Sequence, residues 1–232
     1  MRDNPLFDVR QLALNLWSIE EEIVRSYLLI GDQDALLIDA GLASEGLDRV
    51  VRGITEKPVR LVLTHTDSDH IGGCRYFSPI LMHADELSYI KKSEFNFGDD
   101  VTYLKDDESL YAANTKLRII HIPGHTPGSI ALLDEINGML FSGDSVSASP
   151  LYMFGKGRDL GTLIQSMEKL EKHLPKIMNV YPSHGPTPIE PSFINETKEA
   201  ATLLSQAQLK PLPAPDYIPA TLYRWKRVQF YC

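Results

Sequence analysis

Cysteine is scarce: Cys74 and Cys232 are the only two in 232 residues. Two thiols so far apart make no disulfide framework, and the pattern fits a reducing compartment. No run of about 18 apolar residues occurs, so no transmembrane helix is expected. The first residues, Met1-Arg2-Asp3-Asn4-Pro5, lack the apolar stretch of a secretory signal, and a cytoplasmic protein is expected. Positive charge is in deficit: 23 Lys and Arg face 31 Asp and Glu, a net charge of −8. Such a chain is a poor counter-ion for phosphate backbones, so no nucleic acid and no membrane is expected as a partner. Internal repeats and low-complexity stretches are absent as well.

What is present is ordinary globular material, 43% hydrophobic and 23% charged. A chain of this length buries about 70% of its unfolded surface, enough for a large core. Residues 23–30 and 35–39 read as two apolar strands around the turn Gly31-Asp32-Gln33-Asp34. Leu47, Val50, Val51 and Ile54 recur at helical spacing within 43–54. A short strand over 59–63 runs into Thr64-His65. A strand over 80–82 precedes a helix over 84–91, and residues 93–113, polar and rich in acid, read as a loop or flap. Residues 117–122 form a strand, and 129–133 with 139–141 a hairpin closed by Asn137-Gly138. Leu160, Leu163, Ile164, Met167 and Leu170 line one face of a helix over 160–173. A strand over 177–181 and a helix over 192–208 follow. Strands followed by helices in both halves predict a layered α/β fold. Residues 1–208 are expected to form one domain. Residues 209–232, with four prolines and an aromatic, basic end, read as an extended tail, either a dimer arm or an intramolecular strap.

The informative segment is Thr64-His65-Thr66-Asp67-Ser68-Asp69-His70-Ile71-Gly72-Gly73. It offers four potential metal ligands directly after a strand. In extended chain His65, Asp67 and Asp69 share a face, and His70 joins them only if the chain turns, which Gly72-Gly73 permits. Any one of these residues alone is as well explained by ordinary hydrogen bonding at a strand end. Three further strand exits repeat the theme: Pro123-Gly124-His125-Thr126-Pro127-Gly128, Ser142-Gly143-Asp144-Ser145 and Pro182-Ser183-His184-Gly185. Sites of α/β proteins sit at strand exits, and four exits carrying His and Asp are hard to explain as packing.

Together with Leu37-Ile38-Asp39-Ala40-Gly41, these segments resemble the metallo-β-lactamase superfamily, and within it the glyoxalase II-like hydrolases. The resemblance spans residues 23–186. It implies an αββα sandwich with a binuclear metal site at one sheet edge. His65, Asp67 and His125 would hold one ion; Asp69, His70 and His184 the other; Asp144 would bridge them; Asp39 would hold the motif loop from behind. It also implies a metal-bridging hydroxide that attacks a small thioester, lactone or amide, with Asp69 orienting it. The family pattern places histidine where this chain has Asp67. With Asp67, Asp69, Asp144 and a hydroxide, the ligand charge cancels that of two divalent ions, and the harder donor set moves preference from zinc towards iron or manganese. Zinc is the first expectation, with iron or manganese open. A di-iron protein that binds or reduces oxygen or nitric oxide is the redox alternative, with a one-iron persulfide dioxygenase as its variant. The third reading is a non-catalytic, metal-stabilised sensor or interaction protein.

Other chemistry-bearing residues read as structural. Cys74 suits a buried apolar position, His121 a strand interior, His83 a helix cap and His173 a helix C-terminus. Tyr27, Tyr152 and Tyr181 suit packing, and Arg158-Asp159 an ion pair or cap.

Overall fold

The computed structural model describes residues 7–43, 45–90 and 100–232. The chain falls into two compact units, Met1–Ile119 and Ile120–Cys232.

The first unit is built on a seven-stranded sheet, β1 (Asp8–Ala13) to β4 (Ala35–Ile38), β5 (Val59–Val62), β6 (Ile80–His83) and β7 (Val101–Leu104), in sequence order. β2 (Leu16–Glu21) and β3 (Val24–Ile30) continue it as an antiparallel meander. From β4 onward the pairing is parallel, Ile38 beside Val62 and Leu61 beside Ile80. The inner parallel strand β4 is fully buried and apolar, as a strand covered on both faces should be. α1 (Leu47–Ile54) turns Leu47 and Val51 onto this sheet, where they join Leu28, Leu37, Leu61, Leu63 and Met82 in one buried cluster. Two short helices, α2 (Ser68–Ile71) and α3 (Glu86–Tyr89), follow β5 and β6, and a hairpin of β8 (Ser109–Ala112) on β9 (Thr115–His121) ends the unit.

In the second unit β10 (Ile130–Asp134) pairs antiparallel with β11 (Met139–Gly143), and β13 (Asn179–Pro182) pairs parallel to β11. α4 (Leu160–Glu171) and α5 (Ser192–Ser205) pack on each other, with Leu163, Met167, Leu170, Ile194, Ala200 and Ala201 buried. Asp159 caps α4 by accepting the Thr162 N–H at 2.6 Å. Between β11 and α4 lies the two-residue strand β12 (Leu151–Tyr152). The chain ends in a hairpin, β14 (Leu222–Trp225) and β15 (Val228–Tyr231), with β15 parallel to β12.

The architecture is the expected mixed α/β arrangement, with local departures. The pair β1–β2 has no strong alternating pattern and was not expected. Residues 100–113, expected as a loop, contain β7 and β8. β7 is an edge strand whose Thr102 and Tyr103 face solvent, so only Leu104 carries a core signal. The helix expected over 84–91 shrinks to α3 among the described residues, and its residue 91 and residues 93–99 of the expected flap lie outside them. The end of the chain, expected as an extended tail, is a hairpin. Val228 and Phe230 are fully buried in the core of the second unit, and Arg227 clamps the turn to α5 through Glu190, Glu196 and the face of Phe193, 4.2 Å away. These ion pairs hold the Glu190 and Glu196 carboxyls below their usual range.

The hairpin therefore contributes core, not only covering. Phe230→Ala is expected to lower the unfolding free energy by about 3–5 kcal/mol. Tyr217→Ala, at a residue 82% exposed, should stay within about 0.5 kcal/mol. Denaturant titration distinguishes the two.

Candidate metal centre

Parallel neighbours end side by side, and both units use this to gather their polar residues. In the first unit β4 and β5 are paired, so Asp39 emerges beside Thr64. Asp39 is fully buried with φ 62°, a left-handed conformation that few side chains besides Asp and Asn tolerate. Its Oδ1 accepts the Thr64 N–H at 2.7 Å, and its Oδ2 accepts the Thr64 hydroxyl at 2.8 Å and His70 Nδ1–H at 2.9 Å. The Thr64 hydroxyl hydrogen is thus committed to Asp39, so its oxygen accepts His65 Nδ1–H at 3.0 Å. One carboxylate thereby fixes the tautomer of two histidines and leaves Nε2 of each as the donor atom. The two rings lie 3.9 Å apart.

The turn that brings His70 round comes earlier than Gly72-Gly73: α2 begins at Ser68, so Asp69 and His70 stand on a helical turn rather than in extended chain. Gly72 serves closeness instead. Its N–H donates to the Gly41 carbonyl, and a Cβ there would lie 2.3 Å from the Leu42 carbonyl oxygen. The loop is also gripped from α3. Glu86, fully buried, accepts both the N–H and the hydroxyl of Thr66, and the Tyr89 hydroxyl donates to Asp67 Oδ1 at 2.5 Å.

In the second unit β11 and β13 are the parallel pair, and Asp144 and His184 follow them. His184 Nε2 lies 3.1 Å from Asp144 Oδ2, and His125 Nε2 lies 3.7 Å from the same oxygen. The His125 loop is fastened to α4: the Ser166 hydroxyl donates to the Pro123 carbonyl, Arg158 to the His125 carbonyl, and Asp159 N–H to the Gly124 carbonyl. A Cβ on Gly124 would meet the Leu163 backbone at 2.6 Å, and its φ of 135° suits glycine. The Ser147 hydroxyl donates to the His184 carbonyl at 3.1 Å.

The donor chemistry fits a divalent ion. Two ligands on a tetrahedral ion, each about 2.0–2.1 Å from it, stand about 3.4 Å apart. The imidazole and carboxylate atoms here lie 3.5 Å apart for His65 and Asp67, 3.8 Å for His70 and Asp69, 3.7 Å for His125 and Asp144, and 3.1 Å for His184 and Asp144. The first unit thus brings together His65, Asp67, Asp69 and His70 around Asp39, and the second brings together His125, Asp144 and His184.

A model of the metallo-beta-lactamase superfamily matches residues 19–211. The chain belongs to this superfamily. Its relatives carry hydrolase names. The acyl-coenzyme A thioesterase MBLAC2 of Gallus gallus is 27% identical over 184 residues, 60% of this chain and 66% of the relative. The probable metallo-hydrolase YqgX of Bacillus subtilis is 27% identical over 183 residues, 69% of this chain and 84% of the relative. A hydroxyacylglutathione hydrolase of Francisella tularensis is 28% identical over 159 residues, 68% of this chain and 61% of the relative. The chain thus spans less than two thirds of the length of the first and third of these. Among solved structures, a metallo-beta-lactamase from Pontibacter korlensis superposes with TM-score 0.71 at 23% identity, covering 84% of this chain and 99% of the other. The metallo-beta-lactamase DIM-1 gives 0.74 at 14% identity, over 86% and 99%. These structures share the fold.

The residues read as structural have structural partners. His121 Nε2 lies 2.9 Å from the Pro127 carbonyl oxygen. His83 Nδ1 accepts the Asp85 N–H. Cys74 is fully buried, and burial, with the charge of Asp39, pushes its thiol well above the ordinary range. Sequence reasoning passed over Thr64, Glu86 and Tyr89 as functional supports. The first was legible as a hydroxyl between strand and histidine; the other two lie about 20 residues downstream, and only folding reveals them.

Replacing Asp39 by Ala strands the Thr64 N–H and His70 Nδ1–H in a buried place. In metal-free protein this is expected to cost about 2–4 kcal/mol. A loss below about 1 kcal/mol in denaturant titration would contradict the central role of Asp39.

Proposed function

We propose that the chain is a binuclear metal-dependent hydrolase of small thioesters, with lactones and amides as further substrates. His65, Asp67 and His125 would hold one divalent ion, Asp69, His70 and His184 the other, and Asp144 would lie between them as a shared ligand. The observation that carries this reading is the Asp39–Thr64 network, which holds two imidazoles by Nδ1 and turns both Nε2 atoms to one task. A buried pair of histidines tied in this way is costly to build and has little use in packing alone. The preference for thioesters rests on the likeness to the thioesterase and hydroxyacylglutathione hydrolase relatives.

When bound, the ions supply Lewis acidity and an activated water. The residues of the chain do the rest. Asp39 and Thr64 keep His65 and His70 in one tautomer and one orientation. Asp69, whose side chain is 22% exposed on the first turn of α2, would accept a hydrogen bond from the attacking water and so orient it. Asp144, with one oxygen 3.1 Å from His184 and 3.7 Å from His125, would serve as a ligand beside both histidines.

A specific observation also favours a second reading. Asp67 puts an oxygen donor where the family pattern has nitrogen, and an oxygen-rich set suits iron. A di-iron redox protein is therefore the rival, and it predicts oxygen or nitric oxide consumption instead of thioester cleavage.

Thiol release from acyl-coenzyme A and acylglutathione substrates tests the proposal. The native chain should turn over at least one of them, chelation should abolish the reaction, and added metal should restore it. Asp69→Ala should lower turnover by about 100-fold or more and weaken the ion that it would share with His70 and His184. Activity that survives chelation, or an unaltered rate in Asp69→Ala, would overturn the mechanism.

A further inference from the structure

We propose that Tyr89 is a positioning residue for Asp67: its hydroxyl holds one carboxylate oxygen so that Asp67 presents the other alone to the ion beside His65. This rests on the reading of Asp67 as a metal ligand. The geometry divides the carboxylate between two tasks. Oδ1 accepts the phenol hydrogen at 2.5 Å, while Oδ2 lies 3.5 Å from His65 Nε2, the spacing of two ligands on one ion.

Tyr89 does not approach by chance. It is the last residue of α3, and the first, Glu86, is fully buried with both polar groups of Thr66 on its carboxylate. One short helix therefore grips two successive residues of the motif loop, 66 at its start and 67 at its end. Two consequences follow. A carboxylate has two donor atoms where an imidazole ligand offers one, and the phenol occupies the surplus atom, so Asp67 binds through a single oxygen. The hydrogen bond also orients the carboxylate in advance, so that binding an ion does not have to immobilise it.

The test uses chelator-stripped protein titrated with cobalt(II), followed by binding and by visible absorption. Tyr89→Phe keeps the ring and removes the hydroxyl. It is expected to weaken one of the two ions by about 10–100-fold and spare the other. Cobalt absorption should also weaken, because the freed carboxylate closes on the ion with both oxygens and raises its coordination number. In an Asp67→Ala background, Tyr89→Phe should change neither affinity nor spectrum further. Tyr89→Phe that binds both ions as the native chain does, with the native spectrum, overturns the proposal, even if its melting temperature falls. If Asp67→Ala itself keeps both ions at native affinity, Asp67 is no ligand, and the assignment of the first ion falls together with the role of Tyr89. If Asp67→Ala loses an ion and Tyr89→Phe does not, only the role of Tyr89 falls.

Discussion

The carboxylate of Asp39 is the constraint on which the first half of the site depends. It is buried with no exposed surface, and a carboxylate in such a place is tolerable only when donors surround it. The donors it recruits are the backbone and hydroxyl of Thr64 and the ring of His70, and Thr64 passes the constraint to His65. Removing the carboxylate would release three residues at once. Asp39 holds this position with a left-handed backbone, and Gly72 packs closely on residues 41 and 42 just beyond it.

Parallel pairing is the second organising fact. A strand that ends beside its parallel neighbour places its exit loop next to the neighbour's exit loop. β4 with β5 brings Asp39 to Thr64 and His65, and β11 with β13 brings Asp144 to His184. Each unit needs only short loops for this, and the loops are fastened by hydrogen bonds to nearby helices, α3 in the first unit and α4 in the second. The helices therefore serve the site as well as the core.

Much of this was legible in the sequence because the site residues announce themselves by type. His65, Asp67, Asp69, His70, His125, Asp144 and His184 all follow apolar strands, and Gly or Pro marks each exit. α4 was legible for a different reason, since its apolar face repeats at helical spacing from Leu160 to Leu170. What was not legible depends on distance or on edges. Tyr89 and Glu86 act on residues about 20 positions earlier, and nothing local marks either. β7 lies at a sheet edge, so its outward residues are polar and its strand signal is thin. The terminal hairpin hides behind four prolines, although Val228 and Phe230 after them are core residues.

The account's central claim is that these histidines and carboxylates exist to hold metal. Elemental mass spectrometry of the purified chain, before and after chelation and reconstitution, tests it most directly. About two divalent ions per chain are expected, with about one retained when Asp144 and His184 are both replaced by Ala. A native chain that holds no metal even after reconstitution, yet remains folded, would contradict it.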